Sequence, residues 1–411
     1  MNRLLAFSAL VLVGACGAES APAPSVTALD AGGDASPGDG GLRADAASGP
    51  DAGGVTDGAP SAPPAIRFVG RFDTRDPAGP RCSFSGCRII ADYTGTDVTV
   101  RLSETPGITG SSELDVVVDG VVLPQKLSPT AGAADYALTT GLAPGPHQIE
   151  LYRRTEASDG VTQFLGFSYG GGGRLLAPRP APTRRIEIVG DSTTTGYGVE
   201  GAGPTCPDPG YSAKYKNFRK AFGARLGARF GADVVAVSYS GKGLTQNLYR
   251  PDTLLLPTLY RRALADDPAS TWSFPTGAAP DAVFLMVGAN DFTIGVPVDN
   301  GPASYADFEA AYQAFVADIR SKYPAAHVWC LVSPGVSDAF PVGRNMRSNI
   351  RNAAAATVAA RAAAGDGRVY LYELPEAEAS DKTACDYHPN AVLHQRMADA
   401  LAPLVTSKLG W

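Results

Sequence analysis

The chain has 411 residues, a hydrophobic fraction of 44% and a net charge of −6. It is too long for one small domain and apolar enough for a substantial core. Residues 17–64 hold seven acids (Glu19, Asp30, Asp34, Asp39, Asp45, Asp51, Asp57) and one base, Arg43, whereas the chain beyond residue 64 holds 33 bases against 34 acids. That near-neutral part excludes the basic face nucleic acid requires and the polybasic surface that binds anionic membranes.

The N-terminus reads as an export signal. Arg3 precedes an apolar run, Leu4 to Val13, half the length of about 20 residues that a membrane span needs. Val13-Gly14-Ala15-Cys16 resembles a bacterial lipobox, with Cys16 as the lipidated first residue of a mature lipoprotein. Gly17 in place of Asp fits an outer-membrane or cell-surface destination; an ordinary secretory or periplasmic protein is the alternative. Residues 17–64 are almost entirely Ala, Gly, Pro, Ser and Asp, with no aromatic. Such a segment is expected to stay disordered, because it cannot bury enough apolar surface to offset its ordering entropy. As a tether it would hold the folded part roughly 40 Å from its anchor.

Residues 65–175 read as all-β. Short alternating or β-branched runs recur at Ile66–Phe72, Cys87–Tyr93, Val98–Leu102, Leu114–Leu123, His147–Tyr152 and Gln163–Tyr169. Within the fourth run, Asp119-Gly120 supplies the positive φ angles of a tight hairpin. A sandwich or jelly roll fits, and Gly170–Gly173 marks its end. Residues 184–411 change pattern. Apolar runs at Ile186–Val189, Val234–Val237, Ala282–Val287, Val328–Val332 and Val369–Tyr372 alternate with helical stretches. Phe308, Tyr312, Phe315 and Ile319 mark one face of such a helix. This alternation predicts a parallel sheet covered on both faces.

Ligand sites in open parallel sheets lie beyond the carboxyl ends of the strands. The first run is followed by Gly190-Asp191-Ser192-Thr193-Thr194-Thr195-Gly196. The second is followed by Ser240-Gly241-Lys242-Gly243, the third by Gly288-Ala289-Asn290-Asp291, and the fifth by Cys385-Asp386-Tyr387-His388-Pro389. These residues suit acyl transfer. A Ser hydroxyl needs a base, and His388 titrates near neutral pH. The backbone N–H groups of Ser192 and Gly241 and the Asn290 amide are candidate oxyanion donors. Asp191 is expected to brace the turn. The bland readings are a helix cap for Ser192, a turn residue for Asn290 and a structural His388. His147, His327 and His394 read as structural. Ser240-Gly241-Lys242-Gly243 is no phosphate loop, since Ala236 and Gly243 stand where Gly and Ser or Thr are needed. With no CxxC, no HxxxH and four His in all, no metal site and no cofactor is expected.

GDSTTTG, the glycine block, GAND and DYHP resemble the four blocks of the SGNH (GDSL-type) hydrolases. The resemblance implies an α/β three-layer, flavodoxin-like hydrolase domain from residue 184 to 411, with Ser192, Gly241, Asn290 and His388 in the invariant positions. Gly70-Arg71, the Cys82-to-Gly86 segment and Tyr93-Thr94-Gly95-Thr96 are similar to the jelly roll preceding carbohydrate esterase family 2 catalytic domains. That family removes O-acetyl groups from polysaccharides and sugars. Most SGNH hydrolases carry Asp three residues before the His; here that residue is Cys385. Asp386, two before, is the candidate third triad member, with a backbone carbonyl as the alternative that some family members use.

Cys206 and Cys385 flank the expected site, and a bridge between them would pin two of its loops. Cys82 and Cys87 could close a small loop, and Cys330 reads as a buried free thiol. Tyr197 and Phe292 are candidate sugar-facing rings, with core packing as the alternative. The expected function is carbohydrate O-acetyl ester hydrolysis by a monomer acting on an acetylated carbohydrate. Neither nucleic acid nor a protein partner is implied, and membrane contact is through the lipid anchor alone. The alternatives are an SGNH lipase, arylesterase or thioesterase, and a non-catalytic carbohydrate-binding lipoprotein.

Overall fold

The structure is a computed structural model that describes residues 66–206 and 212–411. The export signal, Cys16 and the acidic segment 17–64 lie outside the described residues.

The first half consists of β1 (Ile66–Val69), β2 (Arg81–Cys82), β3 (Arg88–Thr94), β4 (Val98–Pro106), β5 (Leu114–Val118), β6 (Val121–Val122), β7 (Gly132–Thr139), β8 (Pro146–Arg153), β9 (Gly160–Tyr169) and β10 (Arg174–Leu175). One antiparallel sheet has the order β1-β3-β8-β5-β6, with β10 also on β3; the other has the order β2-β9-β4-β7. Alternate side chains of both meet in one apolar core that includes Ile89, Tyr93, Ile149 and Leu151 from the first sheet and Val98, Val100, Leu102 and Phe164 from the second. Asp119 and Gly120 have φ of 49° and 82°, so the tight turn between β5 and β6 forms where Asp-Gly predicts it. Sequence periodicity did not reveal β7. Its Gly-Ala-Ala-Asp-Tyr-Ala stretch lies on a sheet edge and is mostly exposed, so it carries no apolar alternation to detect.

The second half contains five parallel strands: β11 (Arg185–Gly190), β12 (Asp233–Ser238), β13 (Ala282–Met286), β14 (His327–Val332) and β15 (Val369–Glu373). Their order is β12-β11-β13-β14-β15. The helices are α1 (Ser192–Thr195), α2 (Phe222–Phe230), α3 (Leu256–Leu259), α4 (Ala289–Phe292), α5 (Tyr305–Lys322), α6 (Met346–Ala363) and α7 (Ala391–Leu409). On one face of the sheet Val283 and Leu285 pack with Phe308, Tyr312, Phe315 and Ile350 of α5 and α6. On the other, Ala282, Phe284 and Met286 pack with Phe222, Leu226, Leu393 and Leu401 of α2 and α7. Both faces are therefore dry, which is why these strands read as continuous apolar runs.

The two halves are joined by buried polar contacts. Arg71 of the sandwich half is fully buried and pairs with Glu187 of β11 at 3.3 Å. Arg67 and Arg88 both bind Asp233. Arg154 reaches Asp115 within its own half and Glu200 in the other. Buried pairs of this kind contribute little net stability, but a change to one partner strands the other. They fix how the sandwich sits against the strand ends that carry the site.

Candidate active site

β11 lies between β12 and β13, with Gly190 opposite Ser238 on one side and Met286 on the other. The three chains therefore leave the sheet at one level, and Ser192, Gly241 and Asn290 follow within four residues of those strand ends. Ser192 opens α1. Asp191 caps that helix, its carboxylate accepting from the Thr193 N–H at 3.1 Å, which is the bracing role expected of it. Burial pushes the Asp191 carboxyl up to about 7. Asp291, next to Asn290, is buried and accepts from the N–H groups of Leu244 and Thr245 at 3.0 and 2.7 Å. That contact ties the α4 turn to the loop after Gly241.

His388 approaches from the loop before α7. Its Nε2 lies 2.8 Å from Ser192 Oγ, and its Nδ1 lies 3.1 Å from the carbonyl oxygen of Cys385. A carbonyl can only accept, so Nδ1 carries the proton and Nε2 presents its lone pair to the serine hydroxyl. This tautomer is the one that acyl transfer needs. The Asp386 carboxylate instead accepts from Tyr197 Oη at 2.7 Å. In this geometry Asp386 is not the group that orients His388. The physical reason lies in the backbone. Asp386 and Tyr387 both have positive φ, 53° and 59°, and this twist aims the Cys385 carbonyl at Nδ1 while carrying the Asp386 side chain to Tyr197. Asp386→Asn is therefore expected to lower kcat/KM by about tenfold or less, against roughly 10⁴-fold for a triad carboxylate; steady-state kinetics decides between the two.

Burial lowers the pKa of His388 below its ordinary 6.5, opposed by the Cys385 carbonyl and the Asp386 charge. A general base acts in its neutral form, and a lowered pKa would keep a histidine in that role neutral further into acid. The acid limb of the kcat/KM profile should therefore reach half-maximum below pH 6.5; a midpoint above that value would contradict the burial argument.

Cys385 also forms a disulfide with Cys206, so the carbonyl that holds His388 belongs to a cross-linked residue. Gly198 packs on it so closely that a Cβ there would lie 2.7 Å from Cys385 Cβ. Cys82 and Cys87 do not close a loop: both are buried thiols, and Cys87 Sγ donates to the Arg71 carbonyl at 3.7 Å. Cys330 is a buried free thiol in β14, its pKa pushed up to about 12 by burial.

Asn290 is buried, and its Nδ2 donates to the Lys242 carbonyl at 2.9 Å. One amide hydrogen thus fixes the side chain, and the second remains for another acceptor. Gly241 has φ of +80°, a conformation that disfavours any side chain.

The two candidate sugar-facing rings belong to the interior. Phe292 is fully buried against Phe308, with ring centroids 4.8 Å apart. Tyr197 is 9% exposed and its ring centroid lies 4.5 Å from that of His388, so it packs the imidazole rather than meeting solvent. Among the exposed rings are Tyr387, which follows Asp386 and precedes His388 in the chain, and Tyr249, next to the Leu248 whose N–H donates to the Gly241 carbonyl. His394 is structural: its Nδ1 accepts from the Phe222 N–H at 3.2 Å. Sequence reasoning also missed Glu156, whose carboxylate accepts from both the N–H and the hydroxyl of Ser240. No local motif marks it, because the contact joins segments 84 residues apart.

Residues 68–180 match the family model described as carbohydrate esterase 2 N-terminal, and residues 188–396 match the GDSL-like lipase/acylhydrolase family. A family two carbohydrate esterase from Clostridium thermocellum, solved in complex with cellohexaose, is 32% identical; the match covers 84% of this chain and 99% of that one, with a TM-score of 0.76. The chain belongs to carbohydrate esterase family two. Another family two structure, from Corynascus thermopiles (Myceliophthora fergusii) and including a carbohydrate binding domain, is 31% identical; coverage is 84% and 100% and the TM-score 0.73. Cellulase/esterase CelE of Acetivibrio thermocellus is 33% identical over 352 residues, 85% of this chain. This family two esterase chain spans 40% of the length of CelE. An acetylxylan esterase / glucomannan deacetylase of Cellvibrio japonicus is 29% identical over 286 residues, covering 68% of this chain and 74% of the relative. Among the described residues of the family two chain, no helix is long and apolar enough to cross a membrane.

Proposed function

We propose that this chain hydrolyses acetyl esters of carbohydrates through an acetyl-enzyme on Ser192. The observation that carries the proposal is the 2.8 Å contact of Ser192 Oγ with a His388 ring whose other nitrogen is held by a carbonyl. Ser192 Oγ attacks the acetyl carbonyl carbon as His388 Nε2 takes its proton. The oxyanion is met by the N–H groups of Ser192 and Gly241 and the Asn290 amide. Collapse expels the sugar alkoxide, which takes the proton from His388. Water, deprotonated by the same ring, then releases acetate and restores the serine. Tyr387 and Tyr249 are exposed and lie next in the chain to His388 and Leu248, and such rings suit the apolar face of a sugar.

Acetate release from acetylated xylan and glucomannan, set against hydrolysis of 4-nitrophenyl octanoate, tests the substrate class. Fast acetate release with the octanoate ester poor is expected; the reverse order would favour a lipase or arylesterase. Binding of glycan with no turnover of any ester would favour a carbohydrate-binding protein.

Anchorage by a lipid on Cys16 is a further part of the proposal, supported by the Val13–Cys16 resemblance to a lipobox. Detergent-phase partitioning of the exported chain, lost in Cys16→Ser, tests it.

A further inference from the structure

The active-site serine, base and glycine block all lie in the second half of the chain, yet one group in direct contact with the glycine block comes from the first. Glu156 follows β8 and is fully buried. Its Oε2 accepts from the Ser240 N–H at 2.6 Å and its Oε1 from the Ser240 hydroxyl at 2.7 Å. Lys216, from the second half and 1% exposed, places Nζ 3.0 Å from Glu156 Oε1 and 3.0 Å from Asp159. Ser158 Oγ at 3.1 Å and Thr109 Oγ1 at 3.5 Å also accept from that ammonium on the sandwich side. Asp159 returns to accept from the Glu156 N–H at 3.1 Å.

A carboxylate with no exposure is costly unless both oxygens are satisfied and its charge is paired. A hydrophobic residue would cover the same seam at lower risk. What the charged cluster adds is direction. The two bonds to Ser240 fix the Tyr239–Ser240 peptide and the Ser240 side chain, one residue ahead of Gly241, which sits at positive φ and has no Cβ to restrain it. The Gly241 N–H belongs to the next peptide unit, Ser240–Gly241, which pivots on the anchored Ser240 Cα, so its aim follows the Ser240 backbone.

We infer that Glu156 is a positioning residue for the oxyanion hole: from the sandwich half, it locks Ser240 so that the Gly241 N–H points at the tetrahedral intermediate. The inference rests on the acyl-transfer reading. Lys216 completes the device, since an uncompensated carboxylate near a developing oxyanion would oppose it. The sandwich is thereby part of the hydrolytic machinery rather than a cover beside it.

The test uses the full chain and its Glu156→Gln and Glu156→Asp variants. Gln keeps the shape but offers Ser240 a single acceptor atom; Asp keeps the charge beside Lys216 but is too short to hold both bonds. Turnover of 4-nitrophenyl acetate is measured per titrated active site, alongside inhibition by phenylboronic acid. That probe bonds through boron to the serine oxygen and places a boron-bound oxygen in the hole. Both variants are expected to lose about 10–100-fold in kcat with KM within about threefold, and to bind the boronic acid more weakly by a similar factor. A role in stability alone would lower the thermal midpoint and the titrated fraction, leaving kcat per site and inhibition unchanged, and would overturn the inference. If Glu156→Gln does not fold, Glu156→Asp decides by the same criteria. A parent that turns over no acetyl ester overturns the acyl-transfer reading and this inference with it. An active parent with equally active variants overturns the role of Glu156 alone.

Discussion

Ser192→Ala and His388→Ala are each expected to lower kcat/KM for an acetyl ester by at least about 10⁴-fold, and the double variant by no more than the worse single one. In the proposed mechanism nucleophile and base form one unit: without the ring, the hydroxyl keeps its proton; without the hydroxyl, the ring has nothing to deprotonate. Non-additivity is therefore the signature, not merely the size of each loss. Ser192 is half-buried at the head of α1, and neither substitution opens a core cavity, so both variants should keep the parent's circular dichroism and thermal midpoint. Losses that multiply in the double variant would mean that the two residues act in separate steps.

Asn290→Ala should lower kcat by about 10²–10³-fold while changing KM little, because the oxyanion exists only after attack. The buried amide is fixed through Lys242, so its second hydrogen costs no reorganisation when negative charge develops. Truncation also leaves the Lys242 carbonyl without its partner, and a stability loss of about 1–3 kcal/mol accompanies the kinetic one. A rise in KM with kcat unchanged would place Asn290 in substrate binding instead.

The parallel sheet was legible because strands buried on both faces are largely apolar, the paired Glu187 being an exception; all five runs from Ile186 to Tyr372 became strands. The exposed edge strand β7 was not, since nothing in Gly132–Thr139 needs to be apolar. The Ser192–His388 pair was legible because Ser192 follows the first apolar run and opens a helix, while His388 stands in a Cys-Asp-Tyr-His-Pro block just ahead of the last helix, and the fold brings the two together. The orienting group was not: two left-handed residues, Asp386 and Tyr387, decide whether a carboxylate or a carbonyl faces Nδ1, and proximity in sequence carries no such information. Phe292 shows the same limit. It stands beside Asn290 in the chain, but the α4 turn directs its ring into the core against Phe308. Glu156 lies furthest from sequence reasoning. Its meaning exists only once the sandwich has docked against the glycine block.

The most direct measurement is acid-quench mass spectrometry of the full chain mixed with 4-nitrophenyl acetate, followed by peptide mapping. The account predicts a transient mass gain of one acetyl group on the peptide containing Ser192, absent in Ser192→Ala. Turnover with no adduct at any quench time, including in a variant slowed at deacylation, or an acetyl group on another residue, would contradict it.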